Sequence, residues 1–302
     1  MPVEIPFRRK LEFEYGKVVS VAPGIRRVVA NNPSPFTFHG TGTYILGTGK
    51  VAVIDPGPDD DQHIRAILQG LGDESISHIL ITHTHMDHSP GARPLQAICG
   101  APTYAYGPHG AGKIEQGVQV EEGGDMDFVP DHLVRDGDII AGGDWSVECV
   151  YTPGHTSNHM CFQLREQRAL FTGDHVMGWS TSIISPPDGD MAAYMDSLHR
   201  LLERDDDTYW PTHGPEISEP RALVRAFIEH RREREQQILD CVAGGTQLIS
   251  QMVPLMYRDT PEFMYPAAAR SVLAAVEYLV SIQALQAEEG GVASMGARYR
   301  LP

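Results

Sequence analysis

Short apolar runs alternate with amphipathic segments over the first two thirds of the chain. Eight runs rich in β-branched and aromatic residues are bounded by Gly, Pro, Asp or Asn and predict strands: IRRVVA, TYILG, VAVID, HILIT, APTYAY, WSVECVY, HMCFQL and RALFT. Helical periodicity predicts helices over residues 62–71, 92–98 and 191–202, with Asp190 as the N-cap of the third. Because some strands are joined by hairpin-type junctions and others by helices, the pattern predicts a layered α/β (α+β) domain with mixed sheets.

The pattern changes after residue 216. A long charged helix is predicted over residues 219–242, followed by helices near 246–257 and 266–284, a short β-like hairpin and a tail interrupted by glycines. We therefore divide the chain into a main domain over residues 1–216 and a linker helix with a small, winged-helix-like helical domain over residues 217–302. Residues 107–143 are rich in Gly, Asp and Glu, and we expect them to run over the surface of the main domain.

Composition and charge restrict the classes of function. The chain has 302 residues and a formal net charge of −16, which opposes non-specific binding to DNA and to anionic membranes. It has no run of eighteen apolar residues and no apolar stretch behind its N-terminal basic residues, so we expect no membrane span, no secretory signal and a cytoplasmic location. Its four cysteines form no CxxC pair, which favours reduced thiols over a disulfide framework or a thiolate zinc site.

Residues 81–92 read ITHTHMDHSPGA and place His83, His85, Asp87 and His88 within six positions. Closely spaced histidine and aspartate side chains are the usual ligands of zinc. Further candidate ligands lie in turns that follow predicted strands: His155 in TPGHT, Asp174 in TGDH and His213 in PTHG.

These seven side chains suffice for two ions. We expect the following sets: His83, His85 and His155 on one ion, Asp87, His88 and His213 on the other, and Asp174 bridging them. Two divalent ions, which we expect to be Zn²⁺, could hold a bridging hydroxide that attacks an ester-like centre. Asp87 is our candidate for orienting that hydroxide and moving a proton, since a carboxylate at the metal edge is the nearest base. The chain has no GxSxG elbow that would supply a serine nucleophile.

The segments HTHMDH, TPGHT, TGDH and THG, in this order and spacing, resemble the metallo-β-lactamase superfamily of metal-dependent hydrolases over about residues 18–216. The resemblance implies an αββα sandwich of two mixed sheets with the metals at one edge. The segment after THG resembles the β-lactamase-like protein 2 group, which carries a C-terminal winged-helix-like domain. The group's NPxPxTxxGTxTYxLG pattern spans residues 32–47, with Gly42 where the group more often has Asn.

Two residues could support the metal ligands. Asp55 ends the VAVID strand and could accept a hydrogen bond from a ligand histidine or its loop, although it could also merely begin the PGPDD turn. His159 is either a hydrogen-bond partner of this kind or a histidine satisfied at the start of a strand. For the substrate, Phe36 and Phe38 form an apolar loop tip that, with Trp179, could close over an acyl group; the alternative for the phenylalanines is a place in the core.

Three functions remain open. The first is a zinc-dependent hydrolase of an ester, thioester or lactone-like bond in a small-molecule or carrier-bound acyl substrate. The second is an endoribonuclease for single-stranded RNA, an activity attributed to the group that the chain resembles. The third is an iron-dependent redox enzyme on the same fold, which the full set of seven ligands disfavours because oxygenase relatives need fewer.

The charges beyond residue 216 weigh against RNA. The linker helix carries five arginines, namely Arg221, Arg225, Arg231, Arg232 and Arg234. Arg225 with Glu229 and Arg231 with Glu235 have i,i+4 spacing, which predicts a solvated helix whose charges pair with one another. From residue 246 onward the chain has four Arg, four Glu and one Asp, a net charge of −1. This balance is atypical of a winged helix that binds in a nucleic-acid groove. We expect this region to cap the substrate cleft or to form a homodimer interface.

Overall fold

The computed structural model describes residues 3–110, 123–288 and 291–302. Its strands are β1 (Val19–Ala22), β2 (Ile25–Val29), β3 (Gly42–Leu46), β4 (Lys50–Ile54), β5 (Ser75–Leu80), β6 (Thr103–Ala105), β7 (His132–Leu133), β8 (Ile139–Ala141), β9 (Ser146–Tyr151), β10 (Met160–Leu164), β11 (Ala169–Gly173), β12 (Thr208–Pro211), β13 (Gln286–Ala287) and β14 (Tyr299–Arg300). Its α-helices are α1 (Asp61–Leu71), α2 (Ala92–Cys99), α3 (Met191–Glu203), α4 (Pro220–Ala243), α5 (Ile249–Met256) and α6 (Tyr265–Ser281).

The first sheet has seven strands in sequence order, β1 to β7. Strands β1 to β4 pair antiparallel through short connections, whereas β4 to β7 pair parallel. A parallel neighbour requires a crossover, and helices α1 and α2 provide the crossovers that lead from β4 to β5 and from β5 to β6. Helix α1 begins after Asp60, whose carboxylate accepts a hydrogen bond from the backbone N of Gln62 at 2.8 Å.

The second sheet has five strands in the order β12-β11-β10-β9-β8. Its strands are antiparallel except for β11 and β12, which are parallel and are joined by α3. The predicted N-cap of α3 is confirmed, because the carboxylate of Asp190 accepts a hydrogen bond from the N of Ala193 at 3.0 Å. The inner faces of the two sheets share one apolar core, to which Tyr44 and Ile54 contribute from the first sheet and Phe162 and Phe171 from the second.

Helices cover both outer faces of this sandwich. Ile67 of α1 and Leu95 of α2 pack on the first sheet, whereas Leu198 of α3 and Phe227 of α4 pack on the second. The layers are therefore helix, sheet, sheet, helix, and the predicted αββα fold class is confirmed. No helix within the described ranges combines the length and the apolar character that crossing a bilayer would require.

The C-terminal region has a core of its own. Helices α5 and α6 pack with the second half of α4, and β13 and β14 close the unit as a short antiparallel hairpin, as predicted. Ile238 and Val242 of α4 belong to this core, whereas Val224 and Phe227 belong to the layer on the second sheet. Helix α4 thus packs into both parts of the chain. The division at residues 216 and 217 stays a prediction.

All eight predicted strands are present, while four short strands were not predicted: β1, β7, β8 and β12. The expected surface excursion over residues 107–143 lies in part outside the described residues. Within the described part, residues 123–143 are mostly exposed, as expected, but they also add β7 to one edge of the first sheet and β8 to one edge of the second. Strands of two or three residues leave little alternation in the sequence, so their apolar pattern gives no signal.

Candidate metal centre

The predicted ligands lie at one edge of the sandwich. Each follows a strand: residues 83–88 follow β5, His155 follows β9, Asp174 follows β11 and His213 follows β12. The directions of the strands bring their carboxyl ends to the same edge. Backbone hydrogen bonds join the two sheets there, from the N of Met160 to the O of Thr82 at 2.7 Å and from the N of Gly42 to the O of Thr212 at 2.8 Å.

The first group of donors consists of His83, His85 and His155. Nε2 of His83 lies 3.0 Å from Nδ1 of His85, which lies 3.2 Å from Nε2 of His155. Burial, together with repulsion among the histidines, holds the pKa values of His83 and His85 well below their usual range. The imidazoles are therefore neutral near pH 7, which is the form that binds a metal.

The second group consists of Asp87, His88 and His213, all buried. Oδ2 of Asp87 lies 3.2 Å from Nε2 of His88 and 3.1 Å from Nε2 of His213. Burial opposes a charge on His213, but the carboxylates of Asp174 and Asp87 outweigh burial and raise the pKa of His213 to about 10. The two carboxylates thus make this part of the site attractive to a positive charge.

Asp174 lies between the two groups. Its Oδ2 is 3.3 Å from Nε2 of His213, 3.6 Å from Nε2 of His88 and 3.9 Å from Nε2 of His155. The side chains of His83, His88 and Asp174 also form a third set of donors within 4.8 Å of one another. The structure therefore brings all seven predicted ligands together, with the expected bridging residue between the two triads.

The residues present fit divalent metal ions. Oδ1 of Asp174 is buried and has no hydrogen-bond partner among the described residues, and Nε2 of His88 contacts only the carboxylates of Asp87 and Asp174. A buried polar atom without a partner costs about 1–3 kcal/mol, and a cation among these donors would remove that cost. Imidazole nitrogens combined with carboxylate oxygens suit zinc, iron and related divalent ions, so the donor set leaves the metal's identity open.

In three of the candidate ligand histidines, Nδ1 points away from the cluster and lies within hydrogen-bond distance of an acceptor. Nδ1 of His155 donates to the carbonyl of Ile183 at 2.7 Å, and Nδ1 of His213 lies 3.2 Å from the carbonyl of Gly40. Nδ1 of His88 lies 3.0 Å from Oδ2 of Asp55. Because a carbonyl oxygen only accepts, Nδ1 of His155 and Nδ1 of His213 each carry a proton, and Nε2 of each ring faces the other candidate ligands.

Asp55 lies beside a predicted ligand, as the sequence suggested. Its carboxylate also accepts hydrogen bonds from the N and Oγ1 of Thr82, at 2.8 and 2.7 Å, and from Oγ1 of Thr212 at 3.1 Å. Thr82 precedes His83 and Thr212 precedes His213. One buried carboxylate therefore contacts His88 and the two threonines that directly precede His83 and His213.

His159 contacts the backbone of a predicted ligand. Its Nε2 accepts a hydrogen bond from the N of Asp174 at 3.2 Å, and its Nδ1 lies 2.9 Å from Oγ1 of Thr152. Its ring stacks on His83 with centroids 5.1 Å apart. His159 is thus both satisfied at a strand start and in contact with the ligand cluster, so the two alternatives for it coincide.

Two of the three predicted substrate residues, Phe38 and Trp179, form a lip next to His213. The rings of Phe38 and Trp179 stack with centroids 4.7 Å apart and planes 15° from parallel. Trp179 lies against the backbone that follows His213, since a Cβ built on Gly214 would be 2.9 Å from its Cδ1. Phe36, Phe38 and Trp179 are half-buried.

The sequence did not single out three threonines that hold the site. Oγ1 of Thr41 donates to Oδ2 of Asp87 at 3.1 Å, and Thr82 and Thr212 bind Asp55 as described. All three adjoin the recognised segments, in HGTG, ITHTH and PTHG. For Thr82 and Thr212, the available signal was a hydroxyl directly before a candidate ligand histidine.

The expected pairing of charges along α4 is wrong. Arg231 is only 5% exposed, and its guanidinium donates to the carbonyl of Ser182. No ion pair joins Arg231 to Glu235 or Arg225 to Glu229, all four of which are described residues. Arg231 lies on the same face of α4 as Val224, Phe227 and Ile228. Because this face packs against the main domain, Arg231 is buried with them.

Comparisons with known proteins agree with this architecture. Residues 37–213 match the metallo-beta-lactamase superfamily, and residues 249–281 match the beta-lactamase associated winged helix domain. An atrochrysone carboxyl ACP thioesterase of Claviceps purpurea is 34% identical over 75% of this chain and 67% of its own length. A beta-lactamase-like protein 2 homolog of Caenorhabditis elegans is 31% identical over 84% of this chain and 83% of its own.

A solved structure shares the whole fold. The beta-lactamase domain protein from Burkholderia ambifaria superposes with a TM-score of 0.80 at 20% sequence identity, over 99% of this chain and 97% of that protein. The superfamily match covers more than half of the chain, and the C-terminal match accounts for the appended helices. The chain therefore belongs to the metallo-β-lactamase superfamily, as a hydrolase of that family that carries its associated winged-helix domain.

Proposed function

We propose that this protein hydrolyses ester or thioester bonds of an acyl substrate, small or attached to a carrier, at a dinuclear metal centre. The observation that carries the proposal is the pair of buried donor triads with Asp174 within 3.9 Å of both. A relative named as an acyl-carrier thioesterase supports the acyl substrate.

Each triad would hold one ion. His83, His85 and His155 would bind the first, Asp87, His88 and His213 the second, and Asp174 would reach both. Zinc is the proposed metal, because nitrogen-rich sets with carboxylates are typical zinc sites. When bound, two divalent ions lower the pKa of a water molecule and polarise the carbonyl oxygen of an ester or thioester.

Asp87 is the proposed proton acceptor. Its Oδ2 is fixed by the hydroxyl of Thr41 and lies beside both histidines of its triad. A carboxylate held at this point can orient an attacking water and take its proton. Asp55 is proposed to fix His88 with Nε2 toward the centre, since outer partners of this kind orient metal ligands.

The lip of Phe38 and Trp179, together with Phe36 from the same loop as Phe38, is proposed to receive the acyl group. The stacked rings of Phe38 and Trp179 stand next to the segment that carries His213, so an acyl chain on this wall would place its carbonyl near the second triad. Aromatic side chains supply large apolar area with few rotatable bonds.

The test compares substrates on one metal-loaded preparation. We expect about two zinc ions per chain by elemental analysis and turnover of acyl thioesters, aryl esters or lactones. His85→Ala should reduce turnover to background because it removes a donor that lies 3.0–3.2 Å from its two neighbours. The control is His199→Ala, since His199 is exposed on α3, away from the ligand segments.

Two outcomes would overturn the proposal. Cleavage of an unstructured RNA oligonucleotide by protein inactive on all three acyl panels would assign the centre to RNA hydrolysis. Iron in the preparation together with O₂ uptake on a reduced substrate would assign it to redox chemistry.

A further inference from the structure

We infer that Arg231 of helix α4 is a positioning residue for the metal centre, acting through the backbone of Ser182 and Ile183. The inference rests on the proposed function, because it concerns how the proposed ligands His155 and Asp174 are held. Arg231 lies outside every metal-ligand segment and beyond the predicted main domain. Through its contact with Ser182, the C-terminal region would therefore help to position the metal ligands.

Arg231 is a buried cation that contacts Ser182 and Tyr194. Its guanidinium donates to the carbonyl of Ser182, and its Cζ lies 5.2 Å from the ring centroid of Tyr194. Its Nε is buried without a hydrogen-bond partner. Burying a guanidinium is costly unless its contacts compensate, so a residue chosen for packing alone would be apolar here, as Val224 and Phe227 are on the same helix face.

The first branch from this contact leads to Asp174. The Oγ of Ser182 contacts the carbonyls of both Asp174 and His175, the latter at 2.8 Å. The hydroxyl of Tyr194, whose ring lies beneath Arg231, donates to the same His175 carbonyl at 3.0 Å. The turn that presents the bridging carboxylate is therefore held by two residues that Arg231 contacts directly.

The second branch leads to His155. Ile183 directly follows Ser182, and its carbonyl accepts the hydrogen bond from Nδ1 of His155 at 2.7 Å. The position of that carbonyl sets which nitrogen of His155 carries the proton and where Nε2 points. Ser182 and Ile183 therefore connect helix α4 to two proposed ligands. Ser182 contacts the backbone of Asp174, and Ile183 contacts His155.

The test measures metal binding and ligand geometry separately. Arg231→Met keeps the length and apolar packing of the side chain but removes the donor. We expect the affinity of metal-free protein for added Zn²⁺, measured by competition with a chromophoric chelator, to fall about 10- to 100-fold. In metal-free protein labelled with ¹⁵N-histidine, we expect the protonated Nδ1 signal of His155 to weaken or exchange with the other tautomer. Arg231→Lys should restore part of both.

The matched control is Arg232→Met, the same change at the exposed neighbouring position. A folded Arg231→Met with the Zn²⁺ affinity and the His155 signal of wild type would contradict the inference. If Arg231→Met does not fold, Ser182→Ala decides, because it deletes the contacts to Asp174 and His175 and should lower Zn²⁺ affinity; unchanged affinity in this variant overturns the inference. Wild-type protein that binds no Zn²⁺ would instead refute the proposed metal centre itself.

Discussion

The histidine segment at residues 83–88 and helix α4 both have polar side chains at regular spacing. Only in the first do the side chains make the contacts that the spacing predicted. Its histidines and aspartate converge on one cluster. In α4 the i,i+4 charges do not pair, and Arg231 turns into the protein. The comparison shows that a sequence pattern predicts the contacts of its side chains when the side-chain chemistry itself determines them, as for His and Asp donors. It fails when packing against another part of the protein determines which side chains are buried, as for Arg231.

The largest effect is expected when Asp174, which lies between the two triads, loses its charge. Asp174→Asn keeps the shape of the side chain but removes the charge shared by His88, His155 and His213. We expect zinc content to fall from about two ions to one or fewer per chain and turnover to fall to background. Elemental analysis and a thioester assay measure this, with exposed Asp196→Asn as the control. Two ions retained by Asp174→Asn would contradict the bridging role.

The next effect concerns Asp55, which contacts His88 and two threonines of the ligand segments. Asp55→Asn is tolerable sterically, since Asp55 has a φ of 49° and asparagine accepts this left-handed conformation well. An amide cannot accept all four hydrogen bonds, so we expect zinc affinity to fall about 10- to 100-fold in a folded protein. Chelator competition measures it, and an affinity equal to that of wild type would show that Asp55 only shapes the turn.

A histidine outside the ligand segments should act on stability alone. Thr43 donates its hydroxyl proton to the carbonyl of Asp55, so Nε2 of His63, 2.7 Å from that hydroxyl, must donate, and its buried Nδ1 has no partner. Burial, partly opposed by Asp60, lowers the pKa of His63 to about 4. The unfolded chain, with a pKa near 6.5, therefore binds more protons between those values, and the free energy of unfolding falls as the pH drops through that window.

Replacing His63 removes this proton linkage. We expect His63→Gln to lose about 2 kcal/mol less of its unfolding free energy than wild type between pH 7 and pH 4.5. Urea unfolding of metal-free protein at both pH values measures the difference, with exposed His199→Gln as the matched control. The same pH dependence in His63→Gln and wild type would mean that His63 is not the titrating group.

A smaller effect is expected at the aromatic lip. Trp179→Ala removes the stacking partner of Phe38, and such a pair contributes about 0.5–1.5 kcal/mol. For a long-chain or aryl thioester we expect KM to rise roughly 2- to 10-fold with little change in kcat. Steady-state kinetics with an acetyl thioester provide the control, because its short acyl group does not reach the lip. An equal change for both substrates would remove the lip from acyl recognition.

The smallest effect is expected for Arg225, an exposed arginine on the same helix as the buried Arg231. Arg225 and Glu229 are exposed and form no ion pair, so Arg225→Ala should change the free energy of unfolding by less than about 0.5 kcal/mol. A double-mutant cycle with Glu229→Ala should give a coupling energy near zero. A coupling above about 0.5 kcal/mol would restore the pairing that the spacing suggested.

The fold class and the clustering of the candidate ligands were predictable for a physical reason. Strands such as VAVID and HILIT carry their pattern in their own residues, and the donor chemistry of His and Asp is rare enough in combination to identify a site. The edge strands β7 and β8 were not predictable because pairing with a neighbour, not local composition, makes them strands. The roles of Thr41, Ser182 and Arg231 depend on contacts between segments far apart in sequence, and only the helix-face position of Arg231 hinted at burial.

The most direct measurement of the central claim is anomalous scattering from crystals of the zinc-loaded protein, recorded above and below the zinc absorption edge. Two peaks are expected within the cluster. One should be surrounded by His83, His85 and His155 and the other by Asp87, His88 and His213, with Asp174 in contact with both. A single peak, or peaks that lie away from these side chains, would contradict the dinuclear centre.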